Sequence, residues 1–141
     1  MQRRFLIAFT GLAWPFLILL AATGLQAPLV AHAGQQLKPI KTWSALASWY
    51  GPGFQGKTTA SGQPYDMFEA TAAHLWLPFG SLVRIVNSKT GRSQILRIND
   101  RGPFVDDREL DVSFLVASRL GLIGQGVGVV QLELLEEPKR P

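Results

Sequence analysis

Asp100 is the acidic residue whose setting best suits chemistry. It lies in the run Arg97-Ile98-Asn99-Asp100-Arg101-Gly102-Pro103-Phe104, where a strand-like segment delivers a carboxylate and then meets a Gly-Pro turn. A carboxyl group at the rim of a rigid element is well placed to exchange a proton with a bound substrate. An aspartate before Arg-Gly-Pro is also a good turn residue, because its side chain can hold backbone N–H groups. On the residue alone, turn duty comes first. Arg101 follows directly, but neighbours along a strand point to opposite faces, so adjacency does not imply an ion pair.

The other acids have simpler readings. Glu133, Glu136 and Glu137 suit a solvated strand edge and tail, and Asp106, Asp107 and Glu109 a charged loop facing water. Asp66 and Glu69 flank a short turn that they can cap. Asp111 reads as a helix cap or as a support for the loop carrying Asp100. A single histidine such as His74 is more often structural than catalytic. The aromatics Trp43, Trp49, Tyr50, Phe54, Trp76, Phe79 and Phe104 exceed what a small core can hide. Some of them are expected to form a platform for sugar rings or apolar faces. Tyr65, beside a Gly-rich loop, fits either role.

The elements that must position these groups are short. A strand is expected from Leu46 to Tyr50, stopped by Gly51-Pro52-Gly53, followed by an irregular loop over Gly56 to Gly62. Ala70 to His74 reads as a short helical or turn segment. Leu82–Val86 and Ser93–Ile98 form a hairpin around Asn87 to Arg92, and Leu110-Asp111-Val112 is a brief alternating piece. Ser113 and Gly121 bracket a short helix over Phe114–Leu120 as N-cap and C-terminal stop. In Val127–Leu135 the set Gly128, Val130, Leu132 and Leu134 marks the buried face of a final strand. Short strands, many glycines and one clear helix imply a small closed barrel.

The N-terminus differs from the rest. Arg3 and Arg4 precede a stretch from Phe5 to Leu37 without Asp, Glu, Lys or Arg, and Ala31-His32-Ala33 supplies the small residues of a signal-peptidase site. The expected organisation is a signal peptide over 1–33, or an uncleaved membrane anchor, since roughly 20 apolar residues can cross a bilayer. A linker over 34–45, a barrel over 46–135 and a charged tail over 136–141 follow. The paired arginines also suggest twin-arginine export, but Phe5 follows them directly and no basic residue closes the motif. Without residues 1–33 the formal charge falls from +4 to +2, with 12 basic against 10 acidic residues. A nucleic-acid surface is therefore not expected. Cysteine is absent, which excludes disulfides, a thiolate nucleophile and a lipid attachment site. With one histidine left after cleavage, no metal site is expected either.

Five blocks in order give a sharper indication: Ala47-Ser48-Trp49-Tyr50-Gly51, Thr59-Ala60-Ser61-Gly62-Gln63-Pro64-Tyr65-Asp66, Thr71-Ala72-Ala73-His74, Leu77-Pro78-Phe79-Gly80 and Asn99-Asp100-Arg101-Gly102-Pro103-Phe104. Together they resemble the rare lipoprotein A (RlpA) family and cover nearly all of residues 46–135. The resemblance implies a mainly β fold, a six-stranded double-psi β-barrel with one or two short helices. It implies an endolytic lytic transglycosylase that cuts peptidoglycan glycan strands and leaves 1,6-anhydro-muramic acid ends. Asp100 matches the family's catalytic aspartate and His74 its groove histidine, while Gln63 stands where many active members carry glutamate. With these as catalytic positions, Tyr65, Trp49, Tyr50, Arg101 and Phe104 are expected to contact substrate. Gln63 cannot ionise, which keeps open a second reading, an expansin-like barrel that binds polysaccharide without cutting it. In either reading the partner is a glycan strand, with no cofactor. The chain is expected to be an exported monomer of the periplasm or cell envelope, not a lipoprotein, touching membrane only through its N-terminal segment.

Overall fold

The computed structural model describes residues 37–139. The expected leader, its cleavage site and the anchoring alternative lie outside these residues. Six strands close into a barrel in the order β1-β5-β2-β4-β3-β6, with β6 returning to β1. They are β1 (Lys41–Trp49), β2 (Thr71–His74), β3 (Leu82–Asn87), β4 (Ser93–Asp100), β5 (Leu110–Val112) and β6 (Gly128–Glu136), with one α-helix, α1 (Phe114–Leu120). The β1–β5 and β2–β4 pairs are parallel and the other four antiparallel. Closure removes every free sheet edge.

The interior follows from alternation. In β6 the face carrying Gly128, Val130, Leu132 and Leu134 is buried, as its pattern requires. Across from it lie Val83, Ile85, Leu96, Ile98, Leu110 and Val112, all at most 2% exposed. Burying each such side chain contributes about 1.5–3 kcal/mol. Helix α1 plugs this core through Val116, Ala117 and Leu120. Its ends are those expected: the Ser113 hydroxyl accepts from the Val116 N–H, and Gly121 adopts a left-handed φ of 76°.

Two elements differ from the sequence expectation. Strand β1 starts at Lys41, inside the stretch read as linker, because β6 pairs with it from Lys41↔Leu134 onward. Only one large apolar residue, Trp43, marks that extension. Thr71–His74 is a strand, not a helix or turn. All four residues are buried between β4 and β5, and this central position overrides the helical preference of alanine.

An irregularity in the β2–β4 ladder decides where Asp100 points. Ala72 pairs with Ile98, but Ala73 pairs with Asp100, leaving Asn99 as an extra residue on β4. A one-residue offset of this kind re-aims the side chains that follow it. Asp100 is thereby set beside Ala73 and away from the packed face that carries Ile98.

Candidate active site

Asp100 is half-buried and held by three donors. Its Oδ1 accepts from the Ala60 N–H at 2.8 Å and the Arg101 N–H at 2.9 Å, and its Oδ2 accepts from the Tyr50 hydroxyl at 2.8 Å. The Ala60 contact docks the Gly-rich loop against the end of β4, and the Ser61 N–H reinforces it by donating to the Asn99 carbonyl at 3.3 Å. One oxygen thus performs the turn duty expected of the residue, and the other faces a phenol. Tyr50 directly follows β1, and its own N–H donates to the Val112 carbonyl. Its ring packs on Tyr65 and Phe54, with centroids 4.8 and 5.5 Å away. Burial, then the hydrogen bond to Asp100, pushes the phenol far above its usual 10.0. It therefore keeps its proton and remains a donor.

Arg101 turns away from the Asp100 carboxylate. Its guanidinium lies 3.8 Å over the Phe79 ring, and Nη1 donates to the carbonyls of His74 and Asp100 at 3.4 and 3.3 Å. Gly102, at φ 122°, allows the chain to leave β4 sharply, in a region closed to most side chains.

Two concave spaces meet at Tyr50, Phe54 and Arg101. The first, about 270 Å³, is lined by those residues with Lys57, Thr58, Thr59, Tyr65 and Asp100. The second, about 370 Å³, adds Trp49, Phe104, Val105, Arg108 and Asp111. All five residues expected to touch substrate therefore line one or both. Phe104 and Phe54 are 81% and 46% exposed, which leaves aromatic surface at the rim. The Tyr65 hydroxyl is buried and has no hydrogen-bond partner among the described residues.

Gln63 and His74 stand apart from this constellation. Gln63 is exposed and lines a third space of about 230 Å³ with Ser61, Phe79, Gly80, Arg97, Ile98 and Asn99. Its carbonyl anchors the loop by accepting from the Thr59 N–H and hydroxyl, both at 2.8 Å. His74 has no exposed surface. Its Nδ1 accepts from the N–H groups of Trp76 and Leu77, so Nε2 carries the proton and donates to Glu109 Oε1 at 3.0 Å. Burial holds its pKa below 6.5, against the opposing pull of Glu109. Neither side chain hydrogen-bonds Asp100 among the described residues; His74 reaches it only through the backbone contact to Arg101.

Several features escaped the sequence. Glu109 does not simply face water: it also accepts from Trp43 Nε1 at 2.9 Å. Asp111 does not cap α1, which Ser113 does as expected, but accepts from the Ser48 hydroxyl. Arg108 and Lys57 line the cavities although no motif marks them. For Asp111 a signal existed, since an acid between two buried apolar residues of a strand must point away from the core.

Known proteins agree with this architecture. Residues 42–132 match the lytic transglycolase family. Over 126 residues the chain is 41% identical to a probable endolytic peptidoglycan transglycosylase RlpA of Synechocystis, covering 89% of this chain and 39% of that protein. Over 92 residues it is 49% identical to the endolytic peptidoglycan transglycosylase RlpA of Neisseria meningitidis serogroup A, covering 65% and 38%. The chain thus spans about two fifths of the length of these relatives. In fold it is similar to the apo expansin of Clavibacter michiganensis, with a TM-score of 0.55 at 20% identity, covering 72% of this chain and 54% of that one. With the closed six-stranded barrel in place and most of its length matched, the chain belongs to the lytic transglycolase family, the double-psi β-barrel group that its RlpA-like blocks imply.

Proposed function

We propose that the barrel cuts peptidoglycan glycan strands as an endolytic lytic transglycosylase, with Asp100 as its general acid and base. The observation that carries this reading is the Asp100 carboxylate itself, fixed by three donors at the wall of an open cavity. Oδ1 is engaged by two backbone N–H groups, so Oδ2 is the oxygen that carries the transferable proton. Protonation of the glycosidic oxygen by Oδ2 releases one glycan end. The 6-hydroxyl of the muramic acid unit then attacks C1 and returns its proton to Asp100. The nucleophile belongs to the substrate, so the reaction keeps the advantage of an intramolecular step and needs one acid–base residue where ordinary hydrolysis uses two carboxyls. Tyr50 positions Oδ2. Trp49, Tyr65, Arg101 and Phe104 bind the sugars. His74 positions Arg101 through its carbonyl, and Gln63 binds the neighbouring part of the strand. A peptidoglycan substrate implies action in the cell envelope, and we further infer export through residues 1–33, as a cleaved signal or an uncleaved anchor, and action as a monomer.

Gln63 favours a second reading, a barrel that binds glycan without cutting it. Incubating the full chain with purified glycan strands, followed by mass spectrometry, separates the two. The transglycosylase reading expects 1,6-anhydro-muramic ends from the wild type and none from Asp100→Asn. Strand binding without such ends in the wild type would establish the binding module instead.

A further inference from the structure

The ladders line up a second carboxylate with Asp100. Ser48 pairs with Asp111, Asp111 with Ala73, and Ala73 with Asp100. Residues paired across a sheet share a face, so Ser48, Asp111, Ala73 and Asp100 form one row over four strands. Two strand spacings separate the acids, about 9–10 Å between Cα atoms. That is too far to share a proton or to reach one glycosidic oxygen together. It leaves room for a sugar unit to lie across the row between the two side chains.

Asp111 is built into this position. Arg108 Nη1 donates to Ser48 Oγ at 2.9 Å, and the single Ser48 proton goes to Asp111 Oδ1. Ser48 is 4% exposed, so this support is sheltered. Oδ2 of Asp111 has no hydrogen-bond partner among the described residues, and Asp111 lines the 370 Å³ cavity that meets the Asp100 cavity at Tyr50. Glu109 and Asp66, by contrast, are engaged: Glu109 by Trp43 and His74, Asp66 by the Phe68 N–H. The result is an oriented, acceptor-only group at the wall of the space adjoining the one that Asp100 borders.

We propose that Asp111 is a second catalytic residue, whose carboxylate accepts the N–H of the substrate's N-acetyl group and stabilises the positive charge formed there as the glycosidic bond breaks. This inference rests on the transglycosylase reading above. Asp100 gives its proton to the glycosidic oxygen, which leaves with the electron pair of the C1–O bond. The acetamido carbonyl oxygen bonds to C1, and the charge moves to a ring N–H held by Asp111. The 6-hydroxyl oxygen then attacks C1, the carbonyl recovers its pair, and the hydroxyl proton passes to Asp100. Atoms and charge balance without another reactant. The role also accounts for activity without an ionisable group at Gln63, since the second carboxylate comes from β5.

The test compares the full-length wild type, Asp111→Asn and Asp100→Asn on glycan strands, N-acetylated and N-deacetylated, counting 1,6-anhydro ends and measuring strand binding. Asp111→Asn is expected to lower kcat about 100-fold with KM little changed, in line with removal of a group that stabilises developing charge. Deacetylation removes the carbonyl nucleophile as well as the N–H that Asp111 holds, so it should cost the wild type more than about 100-fold, and should cost Asp111→Asn about 100-fold less than it costs the wild type, because the Asp111 contact is already gone. A purely structural role would lower the rate on both substrates in proportion and would overturn the proposal. Asp111→Asn within threefold of wild type would overturn it and leave the Asp100 reading intact. A wild type that forms no anhydro ends would overturn both. If Asp111→Asn fails to fold by urea denaturation, Ser48→Ala tests the same point by loosening the carboxylate. A loss of about tenfold, confined to N-acetylated strands, supports the role, and an unchanged rate refutes it.

Discussion

Tyr50→Phe isolates one atom of the Asp100 environment. The substitution keeps the ring, and with it the packing on Tyr65 and Phe54, but removes the hydroxyl that donates to Asp100 Oδ2 at 2.8 Å. Ala60 and Arg101 still hold Oδ1, so the carboxylate stays on its wall while Oδ2 gains rotational freedom. A hydrogen bond to a charged group contributes about 1.5–3 kcal/mol. If that interaction is expressed in the transition state, its loss lowers kcat by roughly 10- to 150-fold at 1.4 kcal/mol per tenfold. Substrate contacts of the ring survive, so KM is expected to stay within about threefold. The assay is the initial rate of anhydro-end formation over a range of strand concentrations, with urea denaturation of each protein beside it. The phenol remains protonated across the working pH range, so no step in the pH profile of the wild type comes from titration of Tyr50. A kcat within threefold of wild type, in a protein of unchanged stability, would refute the assignment of Oδ2 as the reacting oxygen.

Gln63→Glu is expected to leave stability within about 0.5 kcal/mol, as for exposed sites generally, since among the described residues only the Gln63 backbone carbonyl is engaged. On glycan strands it should raise the cleavage rate by about tenfold, by a charge-assisted contact the amide cannot make; a slower enzyme would count against a substrate-binding role at this position. Leu132→Ala, at a side chain with no exposed surface in β6, is expected to cost about 2–5 kcal/mol, read from the urea midpoint. His74 gives a pH dependence: its folded-state pKa is lowered by burial, so the unfolded chain takes up the proton first. Its contribution to stability is complete above pH 6.5 and declines as pH falls from there toward the folded-state value; His74→Gln should remove that slope, as measured by urea midpoints between pH 5 and 8.

The parts of the fold legible in the sequence are those where local pattern and tertiary demand coincide. The β3–β4 hairpin, the buried alternation of β6 and both caps of α1 need nothing beyond their own residues. The parts that were not legible depend on partners distant in sequence. Lys41-Thr42-Trp43-Ser44 lacks an apolar alternation, and only β6, some 90 positions on, makes it a strand. Thr71-Ala72-Ala73-His74 consists of residues equally at home in a helix, and becomes a strand because β4 and β5 flank it.

The same division governs the site. Asp100, Tyr50 and the Gly-rich loop were identifiable because short motifs carry them, and Asp100 lies at the strand end from which a turn departs. What sequence could not supply was register. One extra residue, Asn99, sets Asp100 beside Ala73, and that offset completes the row through Asp111 to Ser48. Without it Ala73 would face Asn99, and Asp100 would share the side of the ladder that carries Ile98. The neighbouring backbone confirms how closely this is specified: the Asp100 carboxylate takes an N–H from the loop at Ala60 as well as from Arg101. Deleting Asn99 should therefore straighten the ladder without moving the acid: Asp100 then follows Ile98 directly and still pairs with Ala73, and what is lost is the Asn99 carbonyl that accepts from the Ser61 N–H. Anhydro-end formation is expected to persist, at a reduced rate, in the folded variant. Its complete loss there would mean that the bulge itself, and not the pairing with Ala73, orients the acid.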